Sequence, residues 1–445
     1  MTNPLLPQPL ISRSSGVLNG NITPPGDKSI SHRAIMLGGI AKGTTSIRGL
    51  LEGEDVLRTI AALKSLGALI RKEGNVWHIE GVGVGNLRQP TETLDMGNSG
   101  TAARLLIGLL STYPFSSTFI GDASLSKRPM GRITMPLSAM GAKFKSEHKD
   151  CLPLTVIGAL EPKAITYQLP VASAQVKSAI LLAGLNTEGL TCVIETAPTR
   201  DHSEHMLKHF GANISVQPHG DNAEIISLVG KSHLQGQEIT VPADPSSAAF
   251  PIVAALLRPG SSITLHNIGM NPRRTGLIRT LIEMGANITL HNQHNEGGEP
   301  VADISVAGSE LRGVVVPADR APSMIDEYPI LAIAASCAQG PTKMLGLGEL
   351  RVKESDRLSL VATGLRRCGV NVEIEGDDLI VHGMGKPQGG ATIETSMDHR
   401  IAMSFLVLGC VTRKPIQIDD GSFIATSFPS FIETMNGLGM VIENA

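Results

Sequence analysis

One phrase occurs six times in this chain, and it narrows the folds open to it. The phrase is leucine, two variable residues, a hydrophobic residue, glycine, a small residue, one variable residue and an apolar residue. It occupies residues 63–70, 137–144, 207–214, 281–288, 365–372 and, more loosely, 435–442. Its glycines are Gly67, Gly141, Gly211, Gly285, Gly369 and Gly439, separated by 74, 70, 74, 84 and 70 residues. Each copy reads as the end of an amphipathic helix, a glycine just past that end, and entry into a strand. Many α/β proteins end helices this way, but six copies at near-even spacing constitute an internal repeat.

Each repeat of about 70 residues also carries a second helix that is apolar nearly all round and therefore buried. Such runs lie at 102–110, 178–185, 247–257, 330–338 and 401–411. Strand-like segments fill the rest, at 76–80, 191–195, 263–266 and 379–382 among others. The unit therefore has one buried helix, one covering helix and a small sheet. The period is too long for an ordinary solenoid, so two groups of three units predict two compact lobes. Only 3% of the residues are aromatic and there is one tryptophan, Trp77, so the cores must be aliphatic.

Charge excludes several functions. The net charge is −3, which gives no electrostatic support for a bulk nucleic-acid or membrane-surface role, and base-stacking platforms are scarce. No apolar run is long enough to span a bilayer. Residues 1–16 lack a basic segment followed by an apolar one, so no signal peptide is expected. The five cysteines are widely spaced with no C-x-x-C pair, which suits reduced thiols of the cytoplasm.

Cations gather instead at helix starts. Pro24-Pro25-Gly26-Asp27 reads as a tight turn in which glycine supplies a positive φ. It opens a helix through Ile40 that carries Lys28, His32 and Arg33 where acidic groups are favoured. Either an anion sits among these cations or the turn is solvated, and this segment alone leaves both readings open. It is not a Walker loop, since G-x-x-x-x-G-K-[ST] is absent. Gly97-Asn98-Ser99-Gly100-Thr101 reads as a backbone N–H nest before a buried helix. Lys127-Arg128-Pro129 and Ser173-Ala174-Gln175-Val176-Lys177 lie at further helix entries. Lys353-Glu354-Ser355-Asp356-Arg357 mixes both signs, with Glu354 the best proton carrier among its flanking cations. Asp398-His399-Arg400 leads into 401–411. Asp326 directly precedes a buried helix, where a carboxylate is an N-cap or a base, the cap being favoured. His202, His205 and His209 fall on one helix face, a spacing open to zinc, but Asp201 with Glu204 fits a capping box better.

These motifs, in order and nearly end to end, resemble 3-phosphoshikimate 1-carboxyvinyltransferase (EPSP synthase). They are Gly26–Arg33, Gly97–Thr101, Arg128-Pro129, Gln175–Ser178, Lys353–Arg357 and Asp398–Met403. Arg200–Glu204 and Lys353–Leu358 look more like the bacterial class II branch than class I. The resemblance implies an α/β fold of two lobes, the inside-out α/β prism of six βαβαββ repeats, three per lobe. It implies that 1–22 join 242–445 in one lobe and that 23–241 form the other, with closure of the lobes on ligand. The activity implied is transfer of enolpyruvyl from phosphoenolpyruvate to the 5-hydroxyl of shikimate 3-phosphate, by addition and then elimination of phosphate. The implied enzyme is a cytoplasmic monomer that needs no cofactor or metal.

Carried over by resemblance, Lys28 touches both substrates and is a catalytic candidate that shuttles a proton. Ser29, Arg33, Ser173, Ala174, Gln175, Arg200, Asp326 and Lys353 resemble shikimate 3-phosphate contacts. Gly100, Arg128, Gln175, Arg357 and Arg400 resemble phosphoenolpyruvate contacts. Asp326 resembles the base for the 5-hydroxyl, and Glu354 the proton donor and acceptor at the methylene carbon, with His399 supporting. Class I members place a lysine before the C-terminal Thr-Phe-Pro, where this chain has Thr426. The UDP-N-acetylglucosamine enolpyruvyl transferases are the nearest rival. Their loop cysteine is Ala123 here, and their Lys-Asn pair is Lys28-Ser29.

Overall fold

A computed structural model describes residues 7–220 and 223–445. Among them twelve α-helices alternate with short strands. They are α1 (Lys28–Ile40), α2 (Glu54–Ser65), α3 (Gly100–Leu110), α4 (Gly131–Ala139), α5 (Ala174–Leu185) and α6 (His202–His209), then α7 (Pro245–Leu256), α8 (Gly276–Glu283), α9 (Tyr328–Cys337), α10 (Arg357–Arg367), α11 (His399–Gly409) and α12 (Phe431–Leu438).

The six phrases end the even-numbered helices. Their glycines all adopt left-handed backbone, with φ between +84° and +112°. In each, the N–H after the glycine bonds back to the first residue of the phrase: Ala68 to Leu63, Ala142 to Leu137, Ala212 to Leu207, Ala286 to Leu281, Val370 to Leu365 and Met440 to Met435. That closure pairs a carbonyl the helix would leave unsatisfied, and it needs the positive φ that glycine adopts without a steric penalty. At Gly285 an added methyl would meet nothing nearer than the Glu310 carbonyl at 3.6 Å, so substitution there isolates the backbone term. Gly285→Ala should therefore cost about 1 kcal/mol or somewhat more. That lowers the thermal midpoint by roughly 2–4 °C, read by calorimetry, and an unchanged midpoint would contradict this account of the repeat.

The odd-numbered helices are the apolar ones. α1 is buried from Ile30 to Ile40 without a break, whereas α2 buries a stripe through Val56, Ile60 and Leu63. The same contrast separates α5, buried from Val176 to Leu185, from α6. A helix with apolar residues on all sides has no face to offer water, so it lies inside and the amphipathic one covers it.

Six four-stranded sheets complete the repeats among the described residues. In one, Leu94–Asp95 runs parallel to Ser116–Ile120, which pairs antiparallel with Leu154–Ile157 and through it with Lys143–Ser146. α3 makes the parallel crossover and α4 leads into the hairpin, giving βαβαββ. Thr166–Gln168 onward and Val315–Val316 onward repeat the scheme.

Three strands depart from chain order. Asn19–Ile22 precedes α1 but pairs with Ser262–Gly269, while Glu238–Thr240 pairs with Lys42–Arg48. Two repeats thus exchange their first strands. Leu10–Arg13 lies antiparallel between Ile416–Ile418 and Val441–Asn444, supplying the last strand of the final repeat. The described residues up to Pro25 consequently form one compact unit with Pro242–Asn295 and Pro300–Ala445. Gly26–Val241 form the second, together with Glu296–Glu299. Each unit holds three sheets and its own aliphatic core.

Two local expectations are corrected. Gly26 does not have a positive φ. Glycine is required because a Cβ there would lie 1.9 Å from the Gly49 carbonyl oxygen, a close backbone approach. Asp201 stands at the N-cap of α6 but its side chain makes no cap hydrogen bond, and Glu204 is drawn into a buried ion pair with Lys177 instead of a capping box.

Candidate active site

Every candidate side chain lies in the first two turns of a helix or in the turn leading to one. The buried helices bring their unpaired N–H groups and positive dipole ends with them. Five are capped by side chains: Asp27 accepts from Ile30 N–H, Ser99 from Ala102, Ser173 from Val176, Asp244 from Ser246 and Asp398 from Arg400. The sixth, α9, follows Glu327, whose side chain makes no cap bond.

In the unit formed mainly by Gly26–Val241, the start of α1 is not a solvated turn. Asp27, His32 and Arg33 are all buried. Lys28 Nζ lies 2.9 Å from Asp55 Oδ2, a partner on α2. Arg33 donates to the Ser29 carbonyl at 2.9 Å, and to the hydroxyls of Ser203 at 2.7 Å and Ser178 at 2.8 Å. His32 Nδ1 lies 2.7 Å from Thr59 Oγ1. Burial first, then the Lys28 and Arg33 charges, push the His32 pKa down from 6.5 to about 3, against the opposing Asp27. His32 is therefore neutral at pH 7, and the cations here are Lys28 and Arg33.

That shift has a stability consequence. Below pH 6.5 the unfolded chain binds a proton at His32 that the folded chain refuses until about pH 3, so stability falls as pH falls through this window. At about pH 4.5 the loss is ~2–3 kcal/mol. His32→Gln should flatten the decline of thermal midpoint between about pH 6.5 and 4, and parallel curves for the two proteins would exclude the effect.

α3 and α5 pack together and share the next cluster. Gln175 accepts from Arg104 Nη1 at 2.7 Å and donates to Thr101 Oγ1 at 3.1 Å. Arg128, buried before α4, donates to Asn98 Oδ1 at 2.8 Å and Ser124 Oγ at 3.0 Å. Both guanidinium groups border Gly100: a Cβ there would lie 3.1 Å from Arg128 Nη1 and 3.2 Å from Arg104 Nη1. Ser173, Ala174 and Arg200 are half-buried, Arg200 in the turn before α6.

In the other unit the charges converge on Arg357, which is 1% exposed. Its guanidinium lies 2.8 Å from Asp398 Oδ2, 2.5 Å from Glu354 Oε2 and 3.1 Å from Asp326 Oδ1. Burial alone would lower its pKa, but the charges of Asp398, Glu354 and Asp326 raise it above the ordinary value. Lys353 Nζ is 3.9 Å from the same Asp326 oxygen. Asp326 sits in a 3₁₀ turn and is not the cap of α9, so the favoured cap reading is replaced by an ion pair. Arg400 donates to the Asp326 carbonyl at 3.2 Å and lies 3.4 Å from Glu327 Oε1. His399 is buried beside it at the start of α11. Thr426 is buried and donates to the Phe423 carbonyl, a bond within its own turn.

Packing also brings in residues that the pattern of the sequence did not single out. Asp55, Glu195 and Glu327 are ordinary carboxylates until packing sets them beside Lys28, Lys177 and Arg400. Lys177 carried a signal, a cation entering an apolar run. The histidines of α6 show no metal arrangement: among the described residues no group of three or more His, Cys, Asp or Glu side chains could hold an ion. His202 Nδ1 lies 2.8 Å from Glu299 Oε1 instead. No helix among the described residues is long and apolar enough to cross a membrane.

Comparison with known proteins identifies the family of the chain as a whole. The family model for EPSP synthase (3-phosphoshikimate 1-carboxyvinyltransferase) matches residues 13–435. The chain belongs to the EPSP synthase family. A 3-phosphoshikimate 1-carboxyvinyltransferase of Paramagnetospirillum magneticum is 58% identical over 441 residues, covering 99% of both chains. One from Rhodospirillum rubrum is 56% identical over 449 residues and covers 100% of both. A solved EPSP synthase from Acinetobacter baumannii superposes with a TM-score of 0.86 at 47% identity, covering 98% of this chain and 100% of that one. The mixed α/β architecture of six small sheets is thus that of EPSP synthase structures.

Proposed function

We propose that this chain transfers the enolpyruvyl group of phosphoenolpyruvate to the 5-hydroxyl of shikimate 3-phosphate, releasing inorganic phosphate. The observation that carries the proposal is identity of 56–58% to named 3-phosphoshikimate 1-carboxyvinyltransferases along nearly the whole of both chains. The chemistry suits the residues. Two phosphates and two carboxylates must be bound, which calls for cations and helix N-termini. Addition joins the 5-oxygen to C2 of phosphoenolpyruvate while C3 gains a proton. Elimination removes one of the three hydrogens of the resulting methyl group as a proton and expels phosphate.

In this reading Lys28 binds both substrates. Ser29, Arg33, Ser173, Ala174, Gln175, Arg200 and Lys353 hold shikimate 3-phosphate. Gly100, Arg128, Gln175, Arg357 and Arg400 hold phosphoenolpyruvate. Asp326 takes the hydroxyl proton, and Glu354 gives a proton to C3 and later takes one from it, with His399 in support. The reaction asks for separate groups at oxygen and carbon. Five free cysteines support a cytoplasmic setting. The deciding experiment is phosphate release from phosphoenolpyruvate with shikimate 3-phosphate, run beside UDP-N-acetylglucosamine. Turnover with the UDP-sugar alone would overturn the assignment.

Gly100 supplies a sharper expectation. A methyl group there presses on the guanidinium ends of Arg128 and Arg104, both held by further hydrogen bonds. Gly100→Ala should raise the KM for phosphoenolpyruvate a few-fold. It should raise the inhibition constant of glyphosate, a longer mimic, by more, because extra volume costs most where a ligand is tightly packed. Equal proportional increases would remove Gly100 from the binding surface.

A further inference from the structure

We propose that Lys177, Glu195, Glu204 and Thr199 are positioning residues that set the affinity for shikimate 3-phosphate. The inference rests on the assignment above of Ser29, Arg33, Ser173–Gln175 and Arg200 to that substrate. Those residues come from three separate places: α1, the start of α5, and the turn between the strand Leu190–Glu195 and α6. One buried polar network ties all three together.

Its first half is neutral at the acceptors. Arg33 on α1 donates to Ser178 on α5 and to Ser203 on α6, and the two hydroxyls lie 2.7 Å apart. Its second half is ionic. One residue earlier on α5, Lys177 Nζ donates to Glu195 Oε2 at 2.7 Å and lies 2.7 Å from Glu204 Oε1 on α6. Lys177 and Glu195 are 0% exposed and Glu204 is 4% exposed. Glu195 also accepts the Thr199 hydroxyl, so the strand end and the residue before Arg200 are clipped together. Lys177 thereby fixes the helix turn that begins with Ser173–Gln175 against the turn that presents Arg200.

Stability alone does not account for such a cluster. Taking one lysine and two carboxylates out of water costs several kcal/mol per ion, and apolar side chains of similar volume would fill the space as well or better. The formal charge of the triad is negative, which adds to the cost. What the charges add is direction: short ion pairs hold their elements within a few tenths of an ångström, where apolar packing tolerates sliding. Binding a phosphate and a carboxylate through several hydrogen bonds at once depends on that precision.

The test uses the full chain in three forms. Thr199→Val removes the hydroxyl half of the clip and leaves the ion triad, together with the longer contact from the backbone N–H of residue 199 to Glu195 Oε2 at 3.5 Å. Lys177→Met/Glu195→Leu/Glu204→Leu replaces the triad by apolar groups and leaves no buried charge unpaired. Arg200→Ala removes a substrate contact directly. Calorimetric Kd for shikimate 3-phosphate, the KM of each substrate, kcat and thermal midpoint are measured for all three. Thr199→Val should raise Kd and KM for shikimate 3-phosphate by about threefold or more, and the triple variant by about tenfold or more. The KM for phosphoenolpyruvate should stay within about twofold, while Thr199→Val, which takes a donor from a buried Glu195 oxygen, should lower the midpoint by several degrees and still fold. If shikimate 3-phosphate binding is unaltered in folded Thr199→Val, or if both KM values rise together, the positioning role is overturned, whether or not the triple variant folds. If Arg200→Ala leaves shikimate 3-phosphate binding unaltered, the substrate assignment itself fails. An effect of Arg200→Ala without an effect of Thr199→Val condemns only the positioning role.

Discussion

Lys28→Met should reduce phosphate release by at least about 10²–10³-fold in a chain that still folds, since removing one preorganised charge from developing transition-state charge has that size. Lys28 is the first residue of a helix buried along its length, and its side chain is 17% exposed, so the ammonium is held at a dipole end and largely shielded from water. Asp55, 2.9 Å away, compensates it. Methionine fills the stem but leaves the Asp55 carboxylate short of its cation in a mostly dry place, costing ~1–3 kcal/mol. Lys28→Met/Asp55→Asn removes both charges and should recover stability without recovering activity. The midpoint and the turnover thus report different things, and activity in the folded double variant would take Lys28 out of the mechanism.

Asp326→Asn and Glu354→Gln should each lower kcat by about 10²–10⁴-fold, the usual contribution of a positioned acid or base. Neither should unfold the chain, because Arg357 is shared among three carboxylates and Asp398 remains at 2.8 Å in both variants. The two losses should be distinguishable. With Glu354 as the proposed carbon acid, its loss should stop proton delivery at C3, so deuterium from solvent should no longer enter the methylene group of phosphoenolpyruvate. With Asp326 as the proposed base, its loss should leave the 5-hydroxyl its proton and slow addition. Undiminished isotope exchange in Glu354→Gln would reassign the carbon acid–base. Because Arg357 binds both groups within 3.1 Å, the double variant should lose less than the product of the single effects.

The helix ends could be read directly because each depends on a handful of consecutive residues. Leu281 to Ala286 closes on itself through Gly285, with no help from the rest of the chain. The inner helices were equally legible, since a run such as Ile330–Ala335 has no polar side to expose. The cations at helix starts could be located for the same local reason. Gly26 shows where such reading stops: glycine is demanded by the Gly49 carbonyl, a neighbour that exists only after folding. Asp326 is a second case, since cap and ion-pair partner are the same residue type in the same place.

By itself the sequence determined six repeats, an inner and an outer helix in each, and the helix starts where charge accumulates, all of which follow from contacts made within about ten residues. Tertiary structure decided the strand exchange, because Asn-Gly-Asn-Ile at 19–22 and Glu-Ile-Thr at 238–240 offer backbone hydrogen bonds that specify no partner until packing brings one alongside. It also decided which carboxylate answers each cation: Asp55 for Lys28, 27 residues away, Glu195 for Lys177, 18 away, and Asp398 for Arg357, 41 away. A charge in a low-dielectric interior must be matched within about 3 Å, and at that range the match is set by how the helices pack.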